Sequence, residues 1–411
     1  MKTRSLLHPG KLLLSIAITA LACFTFFACS KNSAGPSGDA IVIGTVQPLS
    51  GPYAAFGVKF YQAYNMAADE INAAGGVNGR PIKIQFEDSQ DKADLAQTAA
   101  RKLVEDPKVL AIIGGRLSGA GMAIGQVAEQ QQIPYLVDHP SADAITKAGF
   151  HWTFRMNPAS SFNSVPLQRF LKAQATDIKK VALLYENTLY GKGVTEPFQS
   201  WLKDNGYDIV VSDLYQPLSL DYRDLLNKVK AAEPDLLFLA SNIPDSALIV
   251  RQTREQGIAP KLICGAGAGF SINEFYEQAG AAANNVCSTG PWSGNPKDEK
   301  VKALSEKFFK NYGHYPKEHE AEGYVAVYVI TDALKRAKSL SRSDIRDALQ
   351  STDLQTTFGP IKFEDFDGYT NQNNGLRNGQ VVLSQWQNGK LVNIFPADIA
   401  EAAAVYPGVY K

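Results

Sequence analysis

The chain has 411 residues, 45% of them apolar and 20% charged, which is the composition of a folded protein of two or three domains and not of a disordered one. Lysine plus arginine balances aspartate plus glutamate at 41 each, and no run of like charge breaks the balance, so no nucleic-acid partner is expected. Five histidines and four cysteines, scattered along the chain, argue against a large metal site, and no metal or cofactor is expected.

The first segment stands apart from the rest. Lys2, Arg4 and Lys11 precede an apolar run from Leu12 to Ala28, broken only by Ser15, Thr19 and Thr25. Cys29 follows, and then small and polar residues to Gly38. Residues 1–28 read as a secretory signal and 29–39 as a flexible tether. The cysteine at the cut point predicts a bacterial lipoprotein with the lipid on Cys29, held at the periplasmic or extracellular face of a membrane. Cys23 is a second candidate for the lipid, and plain cleavage or an uncleaved anchor helix are alternatives. The apolar run, at about 17 residues, falls short of the roughly 20 that a crossing helix needs. Cleavage before Cys29 removes three basic residues and leaves 38 basic against 41 acidic, a net charge of −3.

Strands and helices then alternate. Residues 41–46 predict a strand, and Phe60, Ala63, Tyr64, Ala67 and Ile71 mark one face of a helix over 57–73. Gly75-Gly76 stops it. A strand at 81–87, a helix at 93–105, a strand at 109–113, a helix at 119–131 and a strand at 134–137 follow. The pattern restarts after Asn157-Pro158, with strands at 181–185, 208–212, 236–240 and 261–264 between helices at 193–205, 222–232 and 246–256. Helices at 298–312, 323–337 and 342–351 lead to short strands at 361–363, 381–386 and 391–395, with turns at Asp367-Gly368 and Asn388-Gly389. Such alternation predicts an α/β protein with two doubly wound parallel sheets. Ligands of open α/β sheets bind beyond the carboxyl ends of the strands, so the loops 47–57, 114–119, 137–143 and 185–191 are the expected walls of a cleft.

Cys264 and Cys287 follow separate predicted strands that could be neighbours in one sheet. Export to an oxidising compartment permits their pairing, and a disulfide is the preferred expectation over two buried thiols.

Several segments carry a resemblance. Residues 47–57 (QPLSGPYAAFG), 68–81 (ADEINAAGGVNGRP), Glu87-Asp88, 100–104 (ARKLV), Ile113-Gly114 with Ser118-Gly119, 190–193 (YGKG), Gly323-Tyr324 with Ala326-Val327, and 358–361 (FGPI) stand in order and at family spacing from about 40 to about 368. The chain resembles the branched-chain amino acid binding proteins of ABC transporters. The resemblance implies a type I periplasmic binding protein fold, with one lobe from 40–156 plus 291–366 and the other from 157–290 plus 367–411. It implies a small-molecule ligand, an ABC transporter permease as partner, and no chemistry.

Residue by residue, the resemblance places Ser118 and the Gly119 amide on a ligand carboxylate, which the start of a helix also favours physically. Ser141 aligns with a second hydroxyl, Phe56 with a residue covering the ligand, and Tyr190 with an aromatic that closes from the second lobe. Plain alternatives are a helix cap for Ser118, a turn residue for Ser141, and core packing for the two aromatics. One position departs: Ala268 stands where the family has the acid that pairs with the ligand's ammonium. Glu322, Glu186 and Asp143 are the nearest replacements, and Arg116 and His139 face the expected cleft. An amino acid or another small carboxylate, such as an aromatic acid, is the expected ligand. A ligand sensor acting on a receptor is the alternative role. An enzyme is not expected: His139, Ser141 and Asp143 lie too close in one loop to form a triad, and nucleophile-elbow, dinucleotide, Walker A and zinc spacings are all missing.

Overall fold

The computed structural model describes residues 38–291, 294, 298–374 and 381–408, so the expected signal, Cys29 and most of the tether lie outside the described residues. The first sheet begins with five parallel strands: β1 (Ile41–Gln47), β2 (Ile82–Asp88), β3 (Val109–Gly114), β4 (Tyr135–Val137) and β5 (Thr153–Arg155). They are connected by α1 (Ala54–Ala73), α2 (Ala93–Glu105), α3 (Ser118–Gln131) and α4 (Asp143–Lys147). The chain leaves through α5 (Val165–Ala173) and builds a second sheet: β6 (Lys180–Glu186), α6 (Leu189–Asp204), β7 (Asp208–Tyr215), α7 (Arg223–Ala232), β8 (Leu236–Ala240), α8 (Asp245–Glu255), β9 (Leu262–Ala266), α9 (Asn273–Ala279) and β10 (Cys287–Gly290).

It then returns to the first lobe as α10 (Glu299–Tyr312), α11 (Glu318–Arg336) and α12 (Arg342–Gln350). The strands β11 (Asp353–Thr356), β12 (Gly359–Phe366) and β13 (Tyr369–Asn373) complete the first sheet, in the order β11-β12-β13-β5-β4-β3-β1-β2. The hairpin β14 (Val382–Gln387) and β15 (Lys390–Phe395) completes the second, in the order β15-β14-β10-β9-β8-β6-β7. Among the described residues, no helix is long and apolar enough to cross a membrane.

Strand alternation explains why both faces of each sheet are covered. Ile41 and Ile43 point into a core shared with α1, α10 and α11, whereas Val42 and Val46 point to α2 and α3. In the second sheet Ala182 and Leu184 face one core, and Val181 and Leu183 the other.

Three expectations are corrected. The last crossing between lobes was placed after residue 366, but it comes after Asn373. Asp367 and Gly368 both have positive φ, 50° and 79°, so they form a tight hairpin turn that folds β13 back against β12. β13 then pairs with β5 inside the first sheet. Secondly, Cys264 and Cys287 are indeed neighbours in register on β9 and β10, but both are free, buried thiols. The two side chains interact as thiols across the parallel pair, with no bond between the sulfurs. Thirdly, α11 starts at Glu318, not at 323. Its first turn, Glu318-His319-Glu320-Ala321-Glu322, is polar in sequence yet wholly buried.

The two lobes start with the same device. After the first strand of each, a helix passes so close to the strand exit that only glycine fits. A Cβ on Gly57 would overlap the Pro48 carbonyl oxygen, and a Cβ on Gly191 would overlap that of Glu186. Gly191→Ala should therefore displace the start of α6 and weaken ligand binding at least ~10-fold, with a stability loss of about 1–3 kcal/mol. Calorimetry and urea unfolding check this, and unchanged values for both would refute the close approach.

Candidate functional site

The carboxyl ends of the strands in the two sheets face one another across a small cavity. The loop after β3 contributes Arg116, Leu117 and Ser118, and the loop after β4 contributes His139 and Ser141. Asn157, Pro158 and Asn163 follow β5. From the second lobe come Tyr190, Asn242 and Gly267, and Glu318 enters from the start of α11. The cavity offers ≈ 30 Å³ to the centres of water molecules, room for about two of them. The space between the lobes is narrow and not sealed, and parting of the lobes would widen it for an organic ligand. Lys59 of α1 forms ion pairs with Glu274 of α9 at 2.9 Å and with Glu320 at 3.4 Å, which ties the lobes together beside the cavity.

Arg116 is the strongest charge at the wall. Its side chain is 1% exposed, and Nε donates to Asp91 Oδ2 at 2.5 Å. Asp91 sits in a left-handed turn and also accepts from the Leu117 N–H. The guanidinium lies between the rings of Tyr53 and Phe56, 4.3 Å from each centroid. Nη1 reaches Asn242 of the second lobe at 3.5 Å, while the buried Nη2 finds no hydrogen-bond partner among the described residues.

The predicted residues divide into walls and supports. Ser118 lines the cavity as the first residue of α3; it does not cap the helix, and its Oγ accepts the Ala142 N–H at 3.1 Å. Ser141 lines the cavity on a loop pinned by Arg155, whose Nη1 donates to the Ser141 and Ala142 carbonyls. Tyr190 presents its ring, with its hydroxyl donating to the Ala266 carbonyl at 2.6 Å. His139 also lines the cavity. By contrast, Phe56 lies behind Arg116 and against His319, at 4.9 Å between rings, as a support rather than a cover. Gly119 is one residue further into α3 than the lining stretch. Ala268 belongs to the turn Gly267–Gly269, and its side chain lies outside the described residues.

The replacement acids are also sorted. Glu186 is used up by Thr188 and by two bonds from Asn242, at 2.9 and 3.0 Å. Asp143 accepts from Tyr369 and from the Ser161 N–H. Glu322 is fully buried behind the wall, with Oε2 2.5 Å from His139 Nδ1. Glu318, which no sequence pattern singled out, is the acid that lines the cavity, and it accepts from Ser271 of the second lobe at 3.2 Å. Glu318 and Glu322 are four residues apart and so share one helix face. That spacing was the available signal.

Burial shapes the charge of this wall. It pushes the Glu318 carboxyl up to about 8, helped by Glu322, and holds Glu322 well above the usual range. Asp138, bonded to the Tyr64 hydroxyl, is raised by burial to about 6. The same burial lowers His139, and it holds His319 well below the ordinary imidazole value. The donor atoms of His139, Glu318 and Glu322 lie within 4.8 Å of one another, a cluster of chain-distant residues that linear spacing does not reveal.

A family model described as "Periplasmic binding protein" matches residues 40–390. Leu/Ile/Val-binding protein homolog 7 of Brucella suis biovar 1 (strain 1330) is 31% identical over 388 residues, covering 90% of this chain and 94% of the relative. Among solved structures, the branched-chain amino acid transporter substrate binding protein LivJ from Streptococcus pneumoniae, in complex with isoleucine, has a TM-score of 0.76 at 26% identity. That match covers 86% of this chain and 97% of the other. A solute binding protein of an ABC transporter from R. palustris, in complex with benzoate, shares the fold with a TM-score of 0.76 at 18% identity, over 89% and 98% of the two chains. These relatives are solute-binding proteins, not enzymes. Two facing sheets with a cavity between them and a match over most of the length agree: the chain belongs to the periplasmic binding protein family, as a Leu/Ile/Val-type substrate-binding protein of the kind that serves ABC transporters.

Proposed function

We propose that this protein is an extracytoplasmic lipoprotein, anchored through Cys29, that captures an amino acid or a related small carboxylate and delivers it to an ABC transporter permease. The observation that carries the reading is the Arg116 Nη2, buried at the cavity wall with no partner among the described residues. A buried guanidinium nitrogen without an acceptor is costly, and a carboxylate oxygen is the acceptor that suits it. The Ser118 hydroxyl, whose oxygen already accepts from Ala142, is left with its proton to donate to the same anion.

In this mechanism the open cleft admits the ligand, and the anion meets Arg116, Ser118 and Ser141 on the first lobe. The second lobe then swings in with Tyr190 and Asn242, and water is excluded. The closed form docks on the permease. A non-amino carboxylate is the second reading, favoured by Ala268 in the position where the resemblance has an acid. The sequence relationship to Leu/Ile/Val-binding proteins favours the first.

A thermal-shift panel of branched-chain amino acids, aromatic acids and short aliphatic acids tests the pair. Stabilisation by leucine or isoleucine supports the amino acid, stabilisation by aromatic acids alone supports the second reading, and no response to any acid refutes both. Ser118→Ala should weaken the responding acid by about 1 kcal/mol, a factor of roughly five. Unchanged affinity in calorimetry would remove Ser118 from the anion site.

A further inference from the structure

The first lobe's wall of the cavity holds more donors than an anion site needs. Glu318 and Glu322 stand at i and i+4 on the first turns of α11, and His139 comes from the loop after β4. One donor atom from each lies within 4.8 Å of the others. Glu322 is fully buried, and its Oε1 has no partner among the described residues. His319, also fully buried, lies against His139 with ring centroids 4.2 Å apart, and neither of its nitrogens finds a partner among the described residues. Neither nearby cation pairs with these two carboxyls: Arg116 pairs with Asp91 through Nε, and Lys59 pairs with Glu320 and Glu274.

We propose that His139, Glu318 and Glu322 form a site for a divalent transition-metal ion, with an open position that faces the ligand cavity. One imidazole and two carboxylates are borderline and hard donors of the type that Zn²⁺ accepts, and three protein ligands leave a fourth place for water or a ligand oxygen. The three donors need to close in by a modest amount to reach metal bonds of about 2.0–2.2 Å, and Glu318 has the freedom of the cavity on one side. A divalent ion displaces the protons of both carboxyls and balances both charges, whereas an ammonium group balances one. All three ligands belong to the first lobe, so the site exists in the open form and is covered when Ser271 of the second lobe meets Glu318. The inference rests on the cleft reading above only for the identity of the fourth donor.

The test is titration of the full-length protein, stripped of metal with EDTA, with Zn²⁺ in a calorimeter, and with Co²⁺ followed by visible absorption. One Zn²⁺ per chain is expected, together with Co²⁺ bands that report nitrogen and oxygen ligation. Glu318→Gln, Glu322→Gln and His139→Ala should each weaken Zn²⁺ by roughly 100-fold or more. His151→Ala, at an exposed histidine, should leave it unchanged. Should the His139 variant fail to fold, the two glutamine variants, which keep size and shape, carry the test. No Zn²⁺ binding by the wild type, or binding that survives both glutamine variants, overturns the site. Stabilisation by amine-bearing ligands that is lost in Glu318→Gln, with no response to Zn²⁺, also overturns it and assigns Glu318 to an organic cation. Binding of acids to the metal-free protein is read separately, so failure of the metal site and failure of the carboxylate reading give different results.

Discussion

Arg116→Met should abolish measurable binding of the cognate acid and destabilise the protein by about 3–5 kcal/mol. Two effects combine. The ligand loses its charged partner at the cavity wall, which in buried charge pairs costs roughly 2–5 kcal/mol, a loss of about 30-fold to several thousand-fold. Asp91 loses the cation 2.5 Å away and is left as a carboxylate with a fully buried side chain. The second effect is separable. Asp91→Asn added to Arg116→Met removes the stranded charge, so the double variant should recover most of the stability in urea unfolding while the acid still fails to bind. If the single variant is as stable as the wild type, Asp91 is not held by Arg116. If the double variant binds the acid normally, Arg116 is not the anion's partner.

Trp386→Ala should cost about 3–5 kcal/mol, the range for emptying a large aromatic site in a core. Trp386 is 1% exposed and packs against Phe275 and stacks on Tyr276. Its Nε1–H donates to the Phe270 carbonyl at 2.7 Å, directly after the Gly267–Gly269 turn. It therefore ties β14, at the end of the chain, to the loop that places Gly267 in the cavity wall. Trp386→Phe keeps most of the apolar bulk but leaves that carbonyl without its donor, at about 1–3 kcal/mol. Denaturant unfolding of both variants checks the order. An alanine variant that loses less than the phenylalanine variant would contradict this account.

Most of the architecture was legible because apolar periodicity and turn chemistry agreed. The strands at 41, 109, 181 and 236 are β-branched or leucine-rich runs, buried on both faces, and the structure has them within a residue or so. What was missed has a physical cause. β5 is three residues long and β13 reads Tyr-Thr-Asn-Gln-Asn, too short or too polar to announce a strand. Both are held by side chains as well as by strand pairing: Arg155 bonds to Gln372, and Asn373 bonds to the Met156 carbonyl. The first turn of α11 falls outside the expected helix at 323–337 for the same reason. Local polarity predicts solvent, and only the fold reveals that Glu318, His319, Glu320 and Glu322 are enclosed.

The site followed the same rule. His139 and Ser141 sit on a loop at a strand end, and Ser118 and Tyr190 at the starts of the helices that follow strands, where topology alone predicts a cleft wall, and they do line it. Phe56 was assigned by resemblance to the ligand, yet here Arg116 stands in front of it. Glu318 comes from a segment nearly 180 residues beyond His139, and the return of the chain to the first lobe is what joins them.

A carboxylate read by Arg116 must bind better than its neutral amide. Calorimetry of matched pairs settles this: leucine with leucinamide, and benzoate with benzamide. One acid should bind, and its amide at least ~30-fold more weakly, the lower end for loss of a buried charged contact. Equal affinity for an acid and its amide would rule out Arg116 as the reader of the carboxylate.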